Sequence, residues 1–281
     1  KYLDDLQPKG CWHGVTVRSQ CARGKIKGIH YRDGVPWNEI TVVAAGDIPG
    51  KNVVSLIADD QPFLADDMVN HPEEPILLLA HPDKNLLEKA RKLVDIVYEP
   101  MNAIYTLEDA LSKKERIWGS DNLLKTITVD KGNVDTAWRK AEHIIVGEYY
   151  TGAQEQLYIE PNACMATANP TDGVTVWGSM QCPYYVHKAL KPLFRLDDSK
   201  IRIIQTETGG GFGGKEEYPS IIAGHAALLA WKTGKTVKIV YDRAEDMVAT
   251  TKRHPSRTRH KTGVDKDGKM VAMEIEFVLD G

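Results

Sequence analysis

Short apolar runs alternate with a helix-like stretch along the first third of the chain. Ile76–Ala80 is a continuous apolar run that predicts a buried strand, and His81-Pro82-Asp83 ends it. Apolar residues then recur at helical spacing, which predicts a helix with Asp83 as its N-cap. Runs rich in β-branched residues at Ile40–Ala45 and Val94–Tyr98 predict further strands.

Helical and extended patterns mix in the rest of the chain. Helices are predicted over Val134–Ala141, Tyr184–Leu190 and Glu217–Thr233. Strands are predicted over His143–Thr151, Leu157–Thr167, Val174–Ser179, Ile201–Glu207 and Val237–Tyr241. Asp265–Gly268 contains glycine between two apolar segments and predicts a hairpin turn.

These elements together predict an α+β fold with mixed or antiparallel sheets. The chain turns polar after Ala110–Arg116, so we place a domain boundary there and expect one domain over 1–115 and another over 116–281. The chain begins at Lys1 and stops directly after the apolar run Met270–Leu279, from which we expect it to be a piece of a longer protein.

Charge and hydropathy exclude several classes of partner. The 281 residues carry a net charge of −3, so no overall field would attract nucleic acid or an anionic membrane surface. The apolar runs are too short to span a bilayer. The basic stretch Lys252–Lys261 contains no aromatic residue that could stack on a base, and we expect it to form a solvated rim or a subunit contact. We therefore expect neither a nucleic-acid nor a membrane partner.

The four cysteines form no C-x-x-C pair, so the sequence predicts neither a zinc nor an iron–sulfur site. Cys164 is expected to be a buried apolar residue on a strand. The nine histidines include no H-x-x-x-H pair, and we expect no residue of this chain to ligate a metal. This cysteine usage favours a cytoplasmic protein.

Gly209–Glu216 contains five glycines and lies between a predicted strand and a predicted helix. Glycine permits positive φ angles and a close approach of the backbone to a ligand. We call this segment the glycine loop. Three interpretations need no family resemblance: a dinucleotide-binding fingerprint, a phosphate-binding loop, and a tight turn that holds no ligand.

The first two interpretations each meet an obstacle in the sequence. G-x-G-x-x-G matches at Gly209, Gly211 and Gly214, but that fingerprint belongs after the first strand of a parallel βαβ unit, and over 200 residues precede this loop. The phosphate-binding loop requires Ser or Thr where this chain has Glu216. A tight turn alone would not need so many glycines.

The glycine loop also resembles the cofactor loop of the molybdenum hydroxylases, the xanthine dehydrogenase and aldehyde oxidase family. Further segments resemble landmarks of that family, and they occur in the family's order. They are Arg18-Ser19, Gly46–Asn52, Val97–Pro100, Gln154–Pro161, Gly178–Pro183, Asp242–Met247 and Lys252–Pro255. The resemblance implies an α/β hammerhead domain followed by the first part of the molybdenum-cofactor-binding domain.

The resemblance also implies roles for particular residues. In this family a molybdopterin-bound molybdenum hydroxylates a carbon atom with oxygen from water. Gln154 matches a glutamine that hydrogen-bonds the apical oxo group, and Gly211, Phe212 and Gly213 match loop residues beside the cofactor. A bare backbone there would bring N–H groups to an oxo ligand, and the Phe212 ring would wall the substrate slot or anchor the loop in the core.

Glu216 matches a glutamate that, in purine-oxidising members of the family, faces the substrate ring, and we expect it to be catalytic. The alternative is a glutamate favoured at the start of a helix by the macrodipole. Lys215 is expected to be a solvated or ion-paired loop residue. The substrate stays open among purines, nicotinate-like heterocycles, aldehydes and aromatic thioesters.

The family resemblance predicts several partners besides the small-molecule substrate. These are the remainder of the molybdenum subunit, [2Fe–2S] and FAD centres on other domains or subunits, and a second assembly in a dimer. The 281-residue chain alone is expected to bind cofactor poorly and to be inactive. Two rival functions remain: a nucleotide-dependent oxidoreductase that uses the glycine loop, and a non-catalytic module that docks electron-transfer subunits.

Overall fold

A seven-stranded mixed sheet lies at the centre of the first of two units into which the chain divides. The structure, a computed structural model, describes residues 1–55 and 58–281. The first unit combines Lys1–Ala103 with Gln156–Thr251, and the second combines Ile104–Glu155 with Lys252–Gly281. The predicted domain boundary at 115 and 116 stays a prediction.

Strands and helices are distributed along the whole chain. Up to residue 138 the elements are β1 (Trp12–Arg18), β2 (Gly24–Tyr31), β3 (Thr41–Ala44), β4 (Met68–Val69), β5 (Pro75–His81), α1 (Lys84–Arg91), β6 (Val94–Pro100), α2 (Leu107–Ser112) and α3 (Val134–Trp138). They continue with β7 (His143–Thr151), β8 (Ala163–Asn169), β9 (Gly173–Gly178), α4 (Pro183–Phe194), β10 (Ile201–Gln205), α5 (Pro219–Thr233), β11 (Val237–Val240), α6 (Arg243–Ala249), β12 (Ser256–Val264) and β13 (Met270–Leu279).

The large sheet has the strand order β10-β9-β8-β11-β1-β5-β3. The β10–β9 and β1–β11 pairs are parallel, and the other neighbours are antiparallel. The first unit also contains the antiparallel sheet β4-β2-β6, and the second unit contains the antiparallel sheet β13-β12-β7. The predicted α+β class with mixed and antiparallel sheets is confirmed.

Helix α5 packs against the large sheet and is apolar on nearly every side. All of its residues from Pro219 to Ala230 are buried, as expected for a helix that lies inside a core. Gly224 allows the helix to approach Phe63, whose ring atom Cε1 would lie 2.3 Å from an added Cβ. Gly234 ends the helix in the left-handed conformation, with φ of 64°.

The first predicted helix has the predicted cap. The Asp83 carboxylate accepts from the N–H groups of Asn85 and Leu86, at 2.8 and 3.3 Å, and so satisfies two donors of the first turn of α1. Leu87 and Ala90 form its buried face. Strand β5 is buried from Pro75 to Ala80 because it lies between β1 and β3 inside the sheet.

The strand predicted over Leu157–Thr167 begins only at Ala163, so its first part is wrong. Leu157 has a φ of 52°, outside the extended region, and Pro161 has no N–H to offer a ladder. The carbonyl groups of Tyr158 and Ile159 instead accept from the Arg243 guanidinium, each at 2.7 Å. The apolar residues of this segment therefore form an irregular connection.

Smaller differences concern the ends of predicted elements. The helix expected over Val134–Ala141 ends at Trp138, and the helix expected over Tyr184–Leu190 extends from Pro183 to Phe194. The helix expected from Glu217 begins at Pro219, since proline suits the first helical position. Cys164 is fully buried on β8, as predicted, and burial raises the pKa of its thiol.

The second unit contains the predicted hairpin and the whole of the basic stretch Lys252–Lys261. Arg257 lies on the central strand β12, has a side chain only 8% exposed, and is 3.2 Å from the Glu108 carboxylate. Arg259 forms a more exposed pair with Glu148 at 2.9 Å. The expectation of a solvated rim is therefore wrong for Arg257, which the sheet buries and pairs.

In the described part of the chain, no helix is both long and apolar enough to cross a membrane.

Candidate functional site

The glycine loop leaves the edge strand β10 and turns before α5 begins. Three of its residues have φ in the left-handed region: Gly210 at 95°, Phe212 at 52° and Gly213 at 92°. Glycine adopts this region without cost, whereas Phe212 does so at an energetic penalty. A non-glycine residue in this conformation is held there by the contacts around it.

Two side chains from neighbouring segments hold the loop through its backbone. The Oε2 atom of Glu160 accepts from the Gly209 N–H at 2.7 Å. The Oε1 atom of Gln181 accepts from the N–H groups of Gly213 and Lys215, at 3.0 and 3.2 Å. The Gln181 N–H in turn donates to the Lys215 carbonyl at 2.7 Å. The loop is thus tied at its beginning and along its second half.

The inner side of the loop has no room for side chains. A Cβ at Gly211 would lie 2.3 Å from Oε1 of Gln181, and a Cβ at Gly214 would lie 2.5 Å from Cε1 of Tyr158. Gly213 differs, because a Cβ there would meet no atom within 4 Å. The loop therefore packs closely on one side and is open at the corner formed by Phe212 and Gly213.

The open corner carries two of the three loop residues predicted to lie beside the cofactor, Phe212 and Gly213. The Phe212 side chain is 75% exposed, so the alternative that it anchors the loop in the core is wrong. Within residues 1–55 and 58–281 the Phe212 N–H has no hydrogen-bond acceptor, whereas the Gly213 N–H is already bonded to Gln181. The backbone donor available at this corner is thus that of Phe212.

Glu216 is exposed and lies before the first residue of α5. Helix α5 begins at Pro219 with Tyr218 as its N-cap, so Glu216 lies two residues before the N-cap, and both of its predicted roles stay predictions. The glycine loop therefore brings together four of the five predicted site residues: Gly211, Phe212, Gly213 and Glu216.

Gln154, the fifth predicted residue, belongs to the second unit. Its N–H donates to the Arg253 carbonyl at 3.2 Å, and its carbonyl accepts from the Arg253 N–H at 3.0 Å. Its side chain is exposed. The neighbouring Glu155 pairs with Lys252 at 2.7 Å in the same unit. The backbone at Gln154 is thus fixed, while its amide stays accessible.

Residues that sequence reasoning did not assign to the site lie directly beneath the loop. The sequence predicts that Lys215 is either solvated or ion-paired. It is fully buried and ion-paired with Glu160. Burial lowers the pKa of its ammonium group, and the Glu160 carboxylate opposes that effect. Ser179 is also fully buried and bonds both side chains. Glu160 and Ser179 lie in segments that carry the family resemblance, and that resemblance is the sequence feature that could have identified them as site residues.

A second group of polar side chains supports the segment that contains Glu160. The buried carboxylate of Asp246 accepts from the Asn162 N–H at 3.1 Å and from the Asn162 side-chain amide at 2.9 Å. The Tyr158 hydroxyl donates to the same carboxylate at 3.3 Å. The segment from Tyr158 to Asn162 is therefore held by side-chain hydrogen bonds although it forms no strand.

These features fit a cofactor that presents acceptor atoms to the loop. The corner at Phe212 and Gly213 offers a free N–H and an unobstructed approach. Among the described residues, no three His, Cys, Asp or Glu side chains are grouped so that they could hold a metal ion.

Two family models match the chain. Residues 119–281 match the molybdopterin cofactor-binding domain, and residues 1–102 match the α/β hammerhead domain of aldehyde oxidase and xanthine dehydrogenase. The chain belongs to the xanthine dehydrogenase and aldehyde oxidase family of molybdenum hydroxylases. The predicted succession of a hammerhead domain and the first part of the cofactor domain is confirmed.

Curated relatives are similar over most of this molybdenum hydroxylase chain. It is 35% identical over 234 residues to the nicotinate dehydrogenase large molybdopterin subunit of Eubacterium barkeri. The aligned region is 83% of this chain and 55% of the relative. It is 29% identical over 286 residues to a probable xanthine dehydrogenase subunit of Bacillus subtilis. That aligned region is 100% of this chain and 38% of the relative. The chain thus spans about half or less of the length of these two relatives.

Solved structures share the fold at lower identity. The aldehyde oxidoreductase from Desulfovibrio desulfuricans matches with a TM-score of 0.86 and 20% identity over 97% of this chain and 32% of its own. The quinoline 2-oxidoreductase from Pseudomonas putida matches with a TM-score of 0.85 and 21% identity over 100% of this chain and 37% of its own. This chain therefore shares the fold of the matched part of each oxidoreductase, about a third of its length.

Proposed function

We propose that this chain forms part of the molybdenum-containing catalytic subunit of a hydroxylase that oxidises a carbon of a purine, another N-heterocycle or an aldehyde. The observation that carries the proposal is the open corner of the glycine loop, which lies within the segment matched by the molybdopterin cofactor-binding domain. The cofactor, when bound, supplies the two-electron redox chemistry that introduces oxygen from water. The chain supplies the binding surface and its orientation.

The loop residues have distinct tasks in this proposal. Gly211 lets the loop pack against Gln181, so that the corner keeps its shape. The Phe212 N–H donates a hydrogen bond to the cofactor, and the exposed Phe212 ring borders the space that the substrate enters. Gly213 leaves that approach open. Gln154 donates from its amide NH₂ to the cofactor without adding a charge.

Glu216 is proposed to act on the substrate. Its exposed carboxylate accepts a hydrogen bond from a ring N–H where the bound heterocycle carries one, as a purine does, and so orients the ring. An N-heterocycle is the preferred substrate class, because the relative with 35% identity is a nicotinate dehydrogenase subunit. Aldehydes and aromatic thioesters follow as further candidates.

The electrons leave through other polypeptide segments in this proposal. The four cysteines form no cluster motif, so the [2Fe–2S] centres are assigned to other domains or subunits. The FAD centre is assigned to other domains or subunits as well. Both curated relatives are named as subunits, which supports an assembly of several chains that contains the remainder of the molybdenum subunit. A dimer of such assemblies and a cytoplasmic location complete the proposal, and the 281-residue chain alone is expected to be inactive.

The geometry does not favour a nucleotide-dependent oxidoreductase. Strand β10, which leads into the glycine loop, lies at the edge of the sheet, and α5 does not begin until Pro219. A dinucleotide fingerprint needs the helix N-terminus directly at the glycine turn, where its N–H groups meet the pyrophosphate. Here the segment after Gly214 separates the turn from the helix.

The proposal is tested on the assembled enzyme that contains this chain, purified from its host. We expect molybdenum by elemental analysis and a pterin by fluorescence of the oxidised extract, both near one per chain. Assays with nicotinate, xanthine and an aldehyde, with a dye as electron acceptor, are expected to give turnover with at least one. With ¹⁸O-labelled water the product gains one labelled oxygen.

Two results would contradict the proposal and favour its rivals. Stoichiometric binding of labelled NAD without molybdenum would favour the nucleotide-dependent enzyme. A metal-free, inactive complex with electron-transfer subunits would favour the assembly module.

A further inference from the structure

A fully buried ammonium group lies beneath the glycine loop. The Nζ atom of Lys215 is 3.0 Å from Oε2 of Glu160 and 2.9 Å from Oγ of Ser179. It also lies 4.8 Å from the centroid of the Tyr158 ring. An ammonium has three N–H donors, and these three partners account for all of them, the third through a cation–π contact. We call Lys215, Glu160, Ser179 and Tyr158 the lysine cluster.

The two ends of the glycine loop meet at one oxygen atom of this cluster. Oε2 of Glu160 accepts from the Lys215 ammonium, from the Ser179 hydroxyl at 2.6 Å, and from the Gly209 N–H at 2.7 Å. Gly209 begins the loop, and Lys215 lies near its end. The side chain of Lys215 therefore closes the loop through a carboxylate that comes from outside it.

The backbone of Lys215 is fixed as well. Its N–H and carbonyl both bond Gln181, which also holds the Gly213 N–H. Phe212 and Gly213, both with left-handed φ, lie between the two tied ends. The strained conformation of Phe212 persists only while the surroundings fix both sides of the corner.

We propose that Lys215 is a positioning residue of the cofactor site: its ammonium, acting through Glu160, holds the glycine loop so that the Phe212 N–H and the open corner face the cofactor. This inference rests on the proposed function, since it assigns the loop to cofactor binding. Lys215 does not touch substrate or cofactor in this account. It acts only through the loop.

The charge balance of the cluster explains why a lysine is needed. The Oε1 atom of Glu160 is buried and has no hydrogen-bond partner among the described residues. Without the ammonium, a largely buried carboxylate would retain only two donors and no opposite charge beside it, which is costly at low dielectric. The carboxylate would then move towards water and take the Gly209 N–H with it.

The test uses the assembled enzyme and a Lys215→Met variant, which keeps the length of the side chain and removes its charge. Lys238→Met is the matched control, because the Lys238 side chain is only 6% exposed and bonds Asp4 and the Leu6 carbonyl instead of any residue of the glycine loop. We expect Lys215→Met to lower kcat on the order of ten- to a hundredfold with KM within about twofold, since small displacements near a reacting centre have effects of this size.

Two readouts do not depend on turnover. Hydrogen exchange of peptides that cover 209–216 is expected to become about tenfold faster in Lys215→Met, with peptides of β8 unchanged. The molybdenum content per chain is expected to fall, and the EPR signal of the molybdenum that remains is expected to shift. Lys238→Met is expected to lower Tm without either change.

The double variant Lys215→Met/Glu160→Gln separates positioning from charge compensation. It leaves no unpaired buried charge, so we expect Tm to recover towards the wild-type value. Loop exchange and molybdenum content are expected to stay abnormal, because Nζ no longer connects Lys215 to the oxygen that holds Gly209. Full recovery of both would overturn the proposal, as would a Lys215→Met variant whose loop exchange and EPR signal match those of the wild type.

Two further outcomes are a Lys215→Met variant that does not fold and a wild-type enzyme without molybdenum. If Lys215→Met does not fold, Ser179→Ala removes one partner of the same ammonium, and we expect a smaller change of the same kind in loop exchange; no change there overturns the proposal. If the wild-type enzyme contains no molybdenum, the proposed function fails before any variant is compared. If the wild type contains molybdenum and Lys215→Met changes neither loop exchange nor the EPR signal, only the positioning role of Lys215 is contradicted.

Discussion

Arg18 and Glu245 form a buried ion pair although they are 227 positions apart in the chain, with Nε of Arg18 at 2.9 Å from Oε1 of Glu245. Arg18 ends β1 within the segment matched by the hammerhead model, and Glu245 lies on α6 within the segment matched by the cofactor-binding model. The guanidinium also donates to the Tyr241 hydroxyl at 2.7 Å and lies 5.1 Å from the centroid of that ring. The pair therefore joins the two matched segments inside the first unit.

Removing Glu245 is expected to destabilise the protein strongly. Glu245→Ala leaves the buried Arg18 guanidinium without its carboxylate, and the loss of one partner of a buried pair costs about 3 kcal/mol. The free energy of unfolding from urea denaturation measures the effect. Glu99→Ala is the control, because its pair with Lys27 is exposed on both sides, at 53% and 54%. Equal midpoints for the two variants would contradict this prediction.

His225 is expected to make the stability of the first unit depend on pH. Its Nε2 is 2.8 Å from the Phe63 carbonyl, and burial lowers the pKa of the imidazole to about 3. The unfolded chain binds a proton near its ordinary pKa of about 6.5, whereas the folded chain does not. The stability from this group is therefore present above that pH and lost, by about 1.4 kcal/mol per pH unit, as the pH falls towards 3.

Urea denaturation between pH 7.5 and 5 checks this dependence. His225→Gln is expected to flatten the slope of unfolding free energy against pH in this range. His30→Gln is the control, since His30 is exposed on β2 and its loss should leave the slope unchanged. A wild-type slope in His225→Gln would exclude the buried imidazole as the cause.

Gly211→Ala is expected to damage cofactor binding. The new Cβ would lie 2.3 Å from Oε1 of Gln181 and would push that amide away from the N–H groups of Gly213 and Lys215. We expect the molybdenum content per chain in the assembled enzyme to fall at least about tenfold, the size of one or two lost hydrogen bonds. Gly46→Ala, where nothing lies within 4 Å, is expected to keep the wild-type content. Normal content in Gly211→Ala would show that the loop tolerates the displacement.

Glu216→Gln is expected to change selectivity more than stability. Its exposed carboxylate accepts a ring N–H in our proposal, and a hydrogen bond to a charged group contributes about 1.5–3 kcal/mol. The kcat/KM for a purine that carries a ring N–H is therefore expected to fall on the order of ten- to a hundredfold, and that for an aldehyde to change little. Glu217→Gln, the exposed neighbour, serves as the control. An equal loss for aldehyde and heterocycle would contradict the role in ring recognition.

Much of the fold was predictable because local patterns report local faces. The strand His143–Thr151 has the predicted bounds, and Asp83 caps α1 as expected. The glycine loop and the landmarks around it also led to the family from the sequence. The strand predicted from Leu157 failed because Arg243 binds two carbonyl groups of this segment from 84 and 85 positions away.

The sequence by itself determined the class of fold, the family and the position of the glycine loop between a strand and a helix. Only the tertiary structure decided that β1, β3 and β5 share a sheet with the strands β8–β11, and that Lys215 lies buried against Glu160. The reason is physical: apolar periodicity shows which side of an element avoids water, but not which distant element covers it. Whether a lysine beside five glycines is solvated or enclosed depends on a carboxylate 55 positions away, which no local pattern encodes.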